Sequence, residues 1–251
     1  IKTNNWPATS STDEDFTIAK VYWDEPNFYL PTKVGSATLC DNPLTATGGV
    51  SADPNNASTN SLNVKRFATI YGSTPYSSHY VSFPAGFQLP GRSDWTIDLY
   101  LKKATSGGGD WSAPFGNWAS NGSNAQVSLG INGRSTATWD FYFGIDGGTF
   151  QQAAQSTQWD ATAWTHYRFE YVHSTRAFRA WSNGTLTGSA TVSSPGFKHG
   201  SGVNTMDIGH QGGGDNAIQG EFGPMRIVSK ALGAPPSGGM VLNSRGRFNN
   251  D

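Results

Sequence analysis

Residues Thr165–Tyr171 read THYRFEY, in which polar and aromatic side chains alternate. Successive side chains of a β-strand point to opposite faces of the sheet. The aromatic set is Tyr167, Phe169 and Tyr171, and the polar set is His166, Arg168 and Glu170. A period of two therefore predicts a half-buried strand whose aromatic side chains face a core.

Two turn signals follow this strand. The polar stretch His173–Arg176 turns the chain into a second run, Ala177–Ser182. Asn183-Gly184 then supplies the positive φ that a tight two-residue hairpin requires before a third run, Thr185–Ser189. The three runs are predicted to form an antiparallel meander.

Short alternating runs separated by Gly, Asn, Asp and Pro continue through the sequence from Tyr80 onward. Further strands are predicted at Tyr80–Phe83, Trp95–Lys102, Gln126–Ile131, Thr138–Ile145, Met206–Gly209 and Gly220–Val228. The sequence has no helical periodicity between these runs, so parallel crossovers are not expected. The predicted fold class is all-β, a two-sheet antiparallel β-sandwich over residues 77–233.

The two ends of the chain differ from this pattern. Residues 1–76 are repeatedly interrupted by proline and are predicted to form an irregular N-terminal arm, and residues 234–251 a tail containing Gly and Pro. Large aromatic side chains in the arm are costly to leave in water. They are Trp6, Phe16, Tyr22, Trp23, Phe28 and Tyr29. We expect the arm to pack on the sandwich or on a neighbouring chain, as in an oligomer or larger assembly.

Composition excludes several classes of protein. Among 251 residues, 18 acidic residues against 17 basic ones leave a net charge of −1, so nucleic acid is not expected as a partner. No apolar stretch approaches the roughly 20 residues that cross a bilayer, so no membrane insertion is expected. Cys40 is the single cysteine, which excludes a disulfide framework and paired-cysteine metal or redox sites. The first residue is Ile1 rather than Met, which suggests a processed or excised chain.

Three segments, in this order, resemble laminin-G-like domains of the concanavalin A-like lectin/glucanase superfamily. They are DWTIDLYLK at Asp94–Lys102, WTHY at Trp164–Tyr167 with the hairpin that follows it, and GEFGPMRIVSKAL at Gly220–Leu232 after Ile208-Gly209. The resemblance covers about Tyr80 to Leu232 and implies a concanavalin A-like jelly roll. Asn183 replaces the usual turn aspartate, and Pro224-Met225 replace an acidic pair. The superfamily includes enzymes, lectins and non-binding modules, so function stays open.

Catalytic patterns are absent from the sequence. The glucanases of the superfamily carry Glu-x-Asp and a second Glu on one strand. This pattern places the nucleophile and the general acid at the separation that a retaining hydrolase requires. The four glutamates, Glu14, Glu25, Glu170 and Glu221, have no acidic residue two, four or five positions away. No serine-hydrolase, phosphate-loop or zinc-protease motif occurs. We expect a non-catalytic protein. The third hypothesis is a glycoside hydrolase whose carboxylates are brought together only by the fold.

One glycine-rich loop has the residues of a calcium site. Gly212–Asn216 offers Asp215 and Asn216 as hard oxygen ligands. Asp110 follows a similar glycine run, and Asp146 precedes one. Ordinary turn chemistry also explains such clusters and is the favoured interpretation. The expectation is either no cofactor or a structural calcium ion.

Loop tryptophans are the candidates for glycan binding, because flat aromatic faces stack on sugar C–H groups while amides and carboxylates bind hydroxyls. The candidates are Trp111, Trp118, Trp139, Trp159, Asp140 and Asn121. Trp95 and Trp164 match core positions of the family strands, so we expect them to be buried.

Two functions are consistent with the sequence. The first is a structural or assembly module, such as a decoration or appendage protein on a virus (phage) particle, docked to other subunits through the arm and in contact with cell-surface glycans. The second is a secreted or cell-surface carbohydrate-binding module. Either function places the chain on a virion surface or in the extracellular space.

Overall fold

The computed structural model describes residues 17–21, 29–34, 37–43, 45–47, 50–52, 68–70, 80–83, 87–103, 111–117, 127–132, 138–144, 150–158, 163–194, 196–198, 206–208, 220–242 and 248. These residues form strands and turns, without a helix. The strands are β1 (Thr17–Val21), β2 (Tyr29–Val34), β3 (Ala37–Pro43), β4 (Thr45–Thr47), β5 (Val50–Ala52), β6 (Ala68–Ile70), β7 (Tyr80–Ser82), β8 (Trp95–Lys103), β9 (Trp111–Gly116), β10 (Val127–Asn132), β11 (Thr138–Gly144), β12 (Phe150–Gln158), β13 (Thr165–Val172), β14 (Ala177–Ser182), β15 (Thr185–Thr191), β16 (Asp207–Ile208) and β17 (Gly220–Val228).

The described strands form two large antiparallel sheets and a separate hairpin. The eight-stranded sheet has the order β15-β14-β13-β8-β17-β6-β5, and β1 also pairs with β17. The seven-stranded sheet has the order β12-β11-β10-β9-β16-β7-β4, and β2 pairs with β3. This architecture confirms the predicted all-β, two-sheet antiparallel sandwich.

The predicted meander is present as β13, β14 and β15. Asn183 and Gly184 adopt φ of 46° and 85°, as a tight hairpin turn demands. The six other predicted strands match the observed bounds to within one residue at each end. Sequence reasoning missed β9 and β12, because β9 contains Pro114 and six of the nine residues of β12 are polar, so neither shows alternation.

Regular strands also occur in the segment that the sequence indicated to be irregular. Within residues 1–76, β1 and β6 pair with β17, and β4 pairs with β7. These strands have three to seven residues, too few to show a period against frequent prolines. Trp6, Phe16, Tyr22, Trp23 and Phe28 lie outside the described residues, and Tyr29 begins β2.

The core lies between the two sheets. Ile97, Leu99 and Leu101 of β8 are in register with Phe169, Tyr167 and Thr165 of β13. Phe115 and Ile208 of the seven-stranded sheet are buried opposite them, around a small apolar void that Leu99, Phe222 and Met225 also line. The aromatic alternation of β13 therefore faces the core, as predicted.

Pro224 interrupts the central strand β17 without breaking it. The register between β17 and β8 shifts between Phe222 and Met225, at the position of the proline. A proline has no N–H to donate to a ladder, and a bulge is a position where a strand tolerates that loss. The departure of Pro224-Met225 from the family pattern is thus compatible with the same fold.

The prediction that β13 is half-buried is wrong. Every residue from Thr165 to Tyr171 is buried, including His166, Arg168 and Glu170. The polar face is covered by the chain that follows β17, residues 229–242 and Phe248, called here the C-terminal strap. A period of two shows which side chains share a face, but it does not show what covers that face.

Candidate functional site

A cluster of charged side chains lies beneath the C-terminal strap, on the outer face of the eight-stranded sheet. Asp98 of β8 is opposite Arg168 of β13 on one side and Arg226 of β17 on the other. Arg168 donates from Nε to Oδ1 of Asp98 at 2.7 Å and from Nη2 to Oδ2 at 2.9 Å. Arg226 Nε donates to Oδ2 at 3.0 Å. The three side chains are at most 4% exposed, so the charges compensate one another out of water.

His166 completes the cluster from the next position along β13. Its Nε2 lies 3.0 Å from Oδ1 of Asp98. Burial lowers the pKa of His166 despite the neighbouring carboxylate, which favours a neutral ring. A carboxylate accepts hydrogen bonds, so Nε2 carries the proton, and Nδ1 has no hydrogen-bond partner among the described residues.

Asp98 is held in its ionised form. Burial by itself would raise the pKa of this carboxyl, but the hydrogen bond from His166 and the charges of Arg168 and Arg226 outweigh burial and hold the pKa well below its usual range. A general acid in glycoside hydrolysis needs the opposite, a raised pKa and access to the substrate. Asp98 has neither, so the cluster is suited to holding the fold together.

Glu170 is a second buried carboxylate on this face, and it also forms an ion pair with an arginine. Its Oε1 accepts from Nη1 of Arg179 at 3.3 Å, and its Oε2 accepts the backbone N–H of Gly233. Arg168 Nη1 in turn donates to the carbonyl of Gly233 at 3.0 Å. Glu170 thus connects the sheet to the strap directly, and Asp98 does so through Arg168.

Further contacts fix the strap along the sheet. Thr96 donates to the carbonyl of Lys230 at 2.7 Å and accepts from the N–H of Leu232 at 3.2 Å. The hydroxyl of Tyr100 donates to the carbonyl of Met240. Burial and the nearby Asp98 charge raise the pKa of that hydroxyl, so it stays a donor at neutral pH.

Apolar contacts cover the far end of the cluster. Leu242 and Phe248 of the strap are buried against Tyr100 and Trp164. The guanidinium of Arg226 lies 4.8 Å above the ring of Phe248, a distance at which a cation and an aromatic face attract. The strap therefore supplies both polar and apolar partners to the outer face of the sheet.

Replacing Gly239 by alanine is expected to loosen the strap. A Cβ there would lie 2.7 Å from Cβ of His166, and Gly239 also has a φ of 95°. Gly238 has a similar φ of 82° but no atom within 4 Å of an added Cβ, so Gly238→Ala is the matched control. We expect about 1 kcal/mol of destabilisation for the control and about 3 kcal/mol for Gly239→Ala, measured by urea unfolding. Equal losses in the two variants would contradict close packing of Gly239 on His166.

The candidate glycan residues that the structure describes lie in the seven-stranded sheet. Trp111 pairs with Asn132, Trp139 with Ile131 and Asp140 with Gly130, so β9 and β11 flank β10. Trp111 and Trp139 are thus paired with neighbouring residues of β10, on its two sides. Trp118, Trp159 and Asn121 lie outside the described residues.

The candidate calcium ligands Asp215 and Asn216 also lie outside the described residues, so that site stays a prediction. Across the described part of the chain, no three His, Cys, Asp or Glu side chains come together as a metal site. In the same part, no helix is long and apolar enough to cross a membrane.

Sequence reasoning missed the role of Asp98, which it treated only as part of a core strand. The available signal was an aspartate in the middle of WTIDLYL, a strand otherwise rich in large apolar residues. A carboxylate at such a position needs buried cations. The sequence contains many arginines, and only strand pairing identifies Arg168 and Arg226 as the two partners.

Comparison with known proteins agrees with this architecture. The family model described as the concanavalin A-like lectin/glucanases superfamily matches residues 75–235, well over half of the chain. The chain belongs to this superfamily. The resemblance to laminin-G-like domains noted in the sequence is thereby confirmed. No curated protein sequence matches this superfamily member.

Solved structures share the sandwich of this superfamily member at low sequence identity. Domain 4 of an extracellular GH43 arabinanase from Geobacillus stearothermophilus, in complex with arabinotriose, is 15% identical with a TM-score of 0.58 over 86% of this chain and 94% of that one. The binding domain of Paraclostridial Mosquitocidal Protein 1 is 12% identical, with a TM-score of 0.60, over 88% of this chain and 50% of that one. The binding domain of Botulinum Neurotoxin DC, in complex with SialylT, is 12% identical, with a TM-score of 0.57 and the same coverage. The chain spans about half the length of the two toxin domains, and the likeness is one of fold.

Proposed function

We propose that this chain is a non-catalytic carbohydrate-binding domain with a lectin-like sandwich. The observation that carries the proposal is the use of both buried carboxylates on the outer face, Asp98 and Glu170, in structural ion pairs. A hydrolase of this superfamily needs an accessible pair of carboxylates. In the described part of this chain, Asp98 binds two arginines, and Glu170 binds Arg179 and the strap.

The similar structures support a binding role. One of them is a domain of an arabinanase in complex with arabinotriose, and another is a toxin binding domain in complex with SialylT. Proteins that share only a fold do not share a ligand, so the sugar bound by this chain has to be found by experiment. Because sugar ligands of this kind are displayed outside cells, we also propose an extracellular location.

Aromatic residues of the seven-stranded sheet and its loops are the proposed glycan platform. Trp111, Trp139 and Asp140 belong to strands on either side of β10. We retain Trp118, Trp159 and Asn121 in the same proposal, on the basis of the sequence. A structural calcium ion at Asp215 and Asn216 is a separate, optional part of it.

A glycan array tests the proposal. The protein is displayed multivalently, with calcium and again with a chelator, and Trp111→Ala and Trp139→Ala are compared with Leu186→Ala, which alters an exposed apolar side chain on β15. We expect selective binding that at least one tryptophan variant weakens about tenfold or more while the control retains it. Loss of binding with the chelator would assign a role to calcium. Silence of the folded protein toward every glycan would refute the proposal.

A structural role on a virus particle is the second candidate. It needs residues 1–76 to reach a neighbouring subunit. The pairing of β1, β4 and β6 with the sheets of the same chain occupies part of that segment internally, so we place this role second. A protein that assembles with other subunits and binds no glycan would reverse this order.

A further inference from the structure

The C-terminal strap lies directly over a buried imidazole. A Cβ added at Gly239 would lie 2.7 Å from Cβ of His166 and 3.3 Å from its Nδ1, so the strap backbone packs on this side chain without room for a methyl group. The His166 side chain has no exposed surface. Release of residues 229–242 would therefore return the imidazole to water without separating the two sheets.

Backbone hydrogen bonds join the same histidine to the strap through the β14–β15 turn. The N–H of His166 donates to Oδ1 of Asn183 at 2.9 Å, and the N–H of Asn183 donates to the carbonyl of His166 at 2.9 Å. The carbonyl of Asn183 accepts from the N–H of Gly238 at 2.9 Å. A Cβ added at Gly184 would collide with the carbonyl oxygen of Pro236, so the turn also packs closely on the strap. A change at His166 therefore reaches the strap both directly and through this turn.

The imidazole of His166 is hydrogen-bonded at one nitrogen. Its Nε2 lies 3.0 Å from Oδ1 of Asp98. Its Nδ1 is buried beside Gly239 and has no hydrogen-bond partner among the described residues. A proton added at Nδ1 would thus become a buried, charged donor that no described group accepts, which is costly while the strap is in place.

The charges that face the ring also oppose a second proton. Asp98 of β8 already accepts hydrogen bonds from Arg168 of β13 and Arg226 of β17. The ring of Tyr100, also on β8, lies 5.1 Å from the imidazole and is neutral. An imidazolium at His166 would therefore be a third buried cation around one carboxylate.

The other charged groups nearby do not offset that cation. Glu170, two positions further along β13, already accepts from Arg179 and from the strap. Lys230 is the only titratable residue in residues 229–242, so that part of the strap brings no carboxylate. Burial, together with the charges of the two buried arginines, lowers the pKa of His166 more than the hydrogen bond and charge of Asp98 raise it.

Strap release and protonation are therefore linked. With the strap closed the imidazole stays neutral, whereas in water a histidine has an ordinary pKa of about 6.5. The open form takes up a proton below that pH and the closed form does not, so acid shifts the equilibrium toward the open form. The strap is held fully above about pH 6.5, and its hold weakens by up to about tenfold for each pH unit below this value.

We propose that His166 makes the C-terminal strap an acid-released cover of the outer face of the eight-stranded sheet. Protonation at Nδ1 stabilises the open form, and loss of that proton lets Gly239 close on the ring again. This inference goes beyond carbohydrate binding and does not depend on any ligand. It gives the chain a surface that is covered in neutral surroundings and is uncovered more often in acidic ones.

Hydrogen–deuterium exchange of the full chain, read by mass spectrometry, tests the release. Residues 229–242 are compared with β8 at pH 7.0 and pH 5.0, with labelling times scaled to equal intrinsic exchange. The strap amides of Leu232, Gly233 and Gly238 report release, because they donate to the sheet and its turn. We expect protection of the strap to fall at least about tenfold from pH 7.0 to pH 5.0.

The level of protection distinguishes strap release from unfolding of the whole chain. Global unfolding exposes the same imidazole, so the amides of β8 are also expected to lose protection in acid. An opening confined to the strap needs less free energy than global unfolding. We therefore expect the strap to be at least about tenfold less protected than β8 at both pH values.

His166→Gln removes the titration and keeps a donor toward Asp98. The glutamine amide takes up no proton between pH 7.0 and pH 5.0, so strap protection in this variant is expected to change by less than about twofold. His173→Gln is the matched control, because His173 lies in the turn after the same strand, beside Tyr171 and Asp94. The control is expected to keep the full acid response of the parent chain.

Nuclear magnetic resonance of the His166 ring in the parent chain reads the closed form directly, and it decides the inference even where His166→Gln does not fold. The ring nitrogens are expected to show a neutral imidazole with its proton on Nε2 at both pH 7.0 and pH 5.0. A ring that becomes protonated in the closed form over this range would overturn the proposal, because closing would then not depend on the proton.

The exchange experiments have three decisive outcomes. Strap protection that is lower than that of β8, falls with acid and loses its pH response in His166→Gln supports the inference. A response that persists in His166→Gln belongs to another group and overturns it. Equal protection of the strap and β8 at both pH values means that the strap leaves only on global unfolding, which overturns it as well. None of these results bears on the glycan array, so the proposed function is tested separately.

Discussion

Replacing Asp98 by asparagine is expected to lower the free energy of unfolding by about 3–5 kcal/mol. The change removes the negative charge of the carboxylate that the guanidinium groups of Arg168 and Arg226 both contact. It also places an amide donor or a weaker acceptor against the Nε2–H of His166. Both arginines are buried, so water cannot replace the lost partner.

Urea unfolding followed by tryptophan fluorescence measures this loss. The matched control is Glu221→Gln, which breaks an ion pair with Lys102 at 3.1 Å on the same sheet, where both side chains are about one-third exposed. Solvent screens such a pair, so the control is expected to cost less than about 1 kcal/mol. If Asp98→Asn were no more harmful than Glu221→Gln, the two buried arginines would not depend on Asp98 for charge compensation.

Deletion of residues 234–251 is expected to cost about 5 kcal/mol, comparable to the whole stability of many domains. The deletion removes Leu242 and Phe248, each of which contributes about 2 kcal/mol through burial. It also uncovers Tyr100, His166 and Arg226, which the strap shields from water. The sandwich predicted at residues 77–233 therefore needs the chain beyond its last strand.

Thermal unfolding of three chains tests the role of the strap. Removal of residues 249–251 alone keeps Phe248 and is the control, expected to melt like the full chain. Phe248→Ala tests the apolar contact in a chain of normal length and is expected to cost about 3 kcal/mol. An unchanged melting temperature after removal of 234–251 would show that the outer face of the sheet is stable without its cover.

These two predictions describe a sandwich in which the two faces of one sheet are stabilised in different ways. The inner face of β8 and β13 is apolar and faces the other sheet, whereas the outer face holds ion pairs and receives the strap. Buried ion pairs contribute little net stability compared with apolar packing, but they fix which groups must meet. In this chain they position the strap on the outer face of the sheet.

Alternation in the sequence was sufficient to identify a strand wherever its two faces differ from each other in polarity. THYRFEY, the turn at Asn183-Gly184 and the run from Gly220 to Val228 were all predicted and observed. The signal failed for β9, β12 and the short strands of residues 1–76, where a strand depends on its partners more than on its own side chains. The glycan and calcium residues stay predictions, since most lie outside the described residues.

The sequence by itself determined the fold class and the aromatic face of β13, because these depend on local period and turn chemistry. The family entered through the resemblance of three segments to its motifs. Only the tertiary structure decided that the polar face is buried, that Asp98 pairs with Arg168 and Arg226, and that Tyr171 and His173 lie next to Gly196. Charge pairing joins residues up to 128 positions apart in the chain. A local pattern cannot specify such partners, because any carboxylate and any arginine satisfy it equally well.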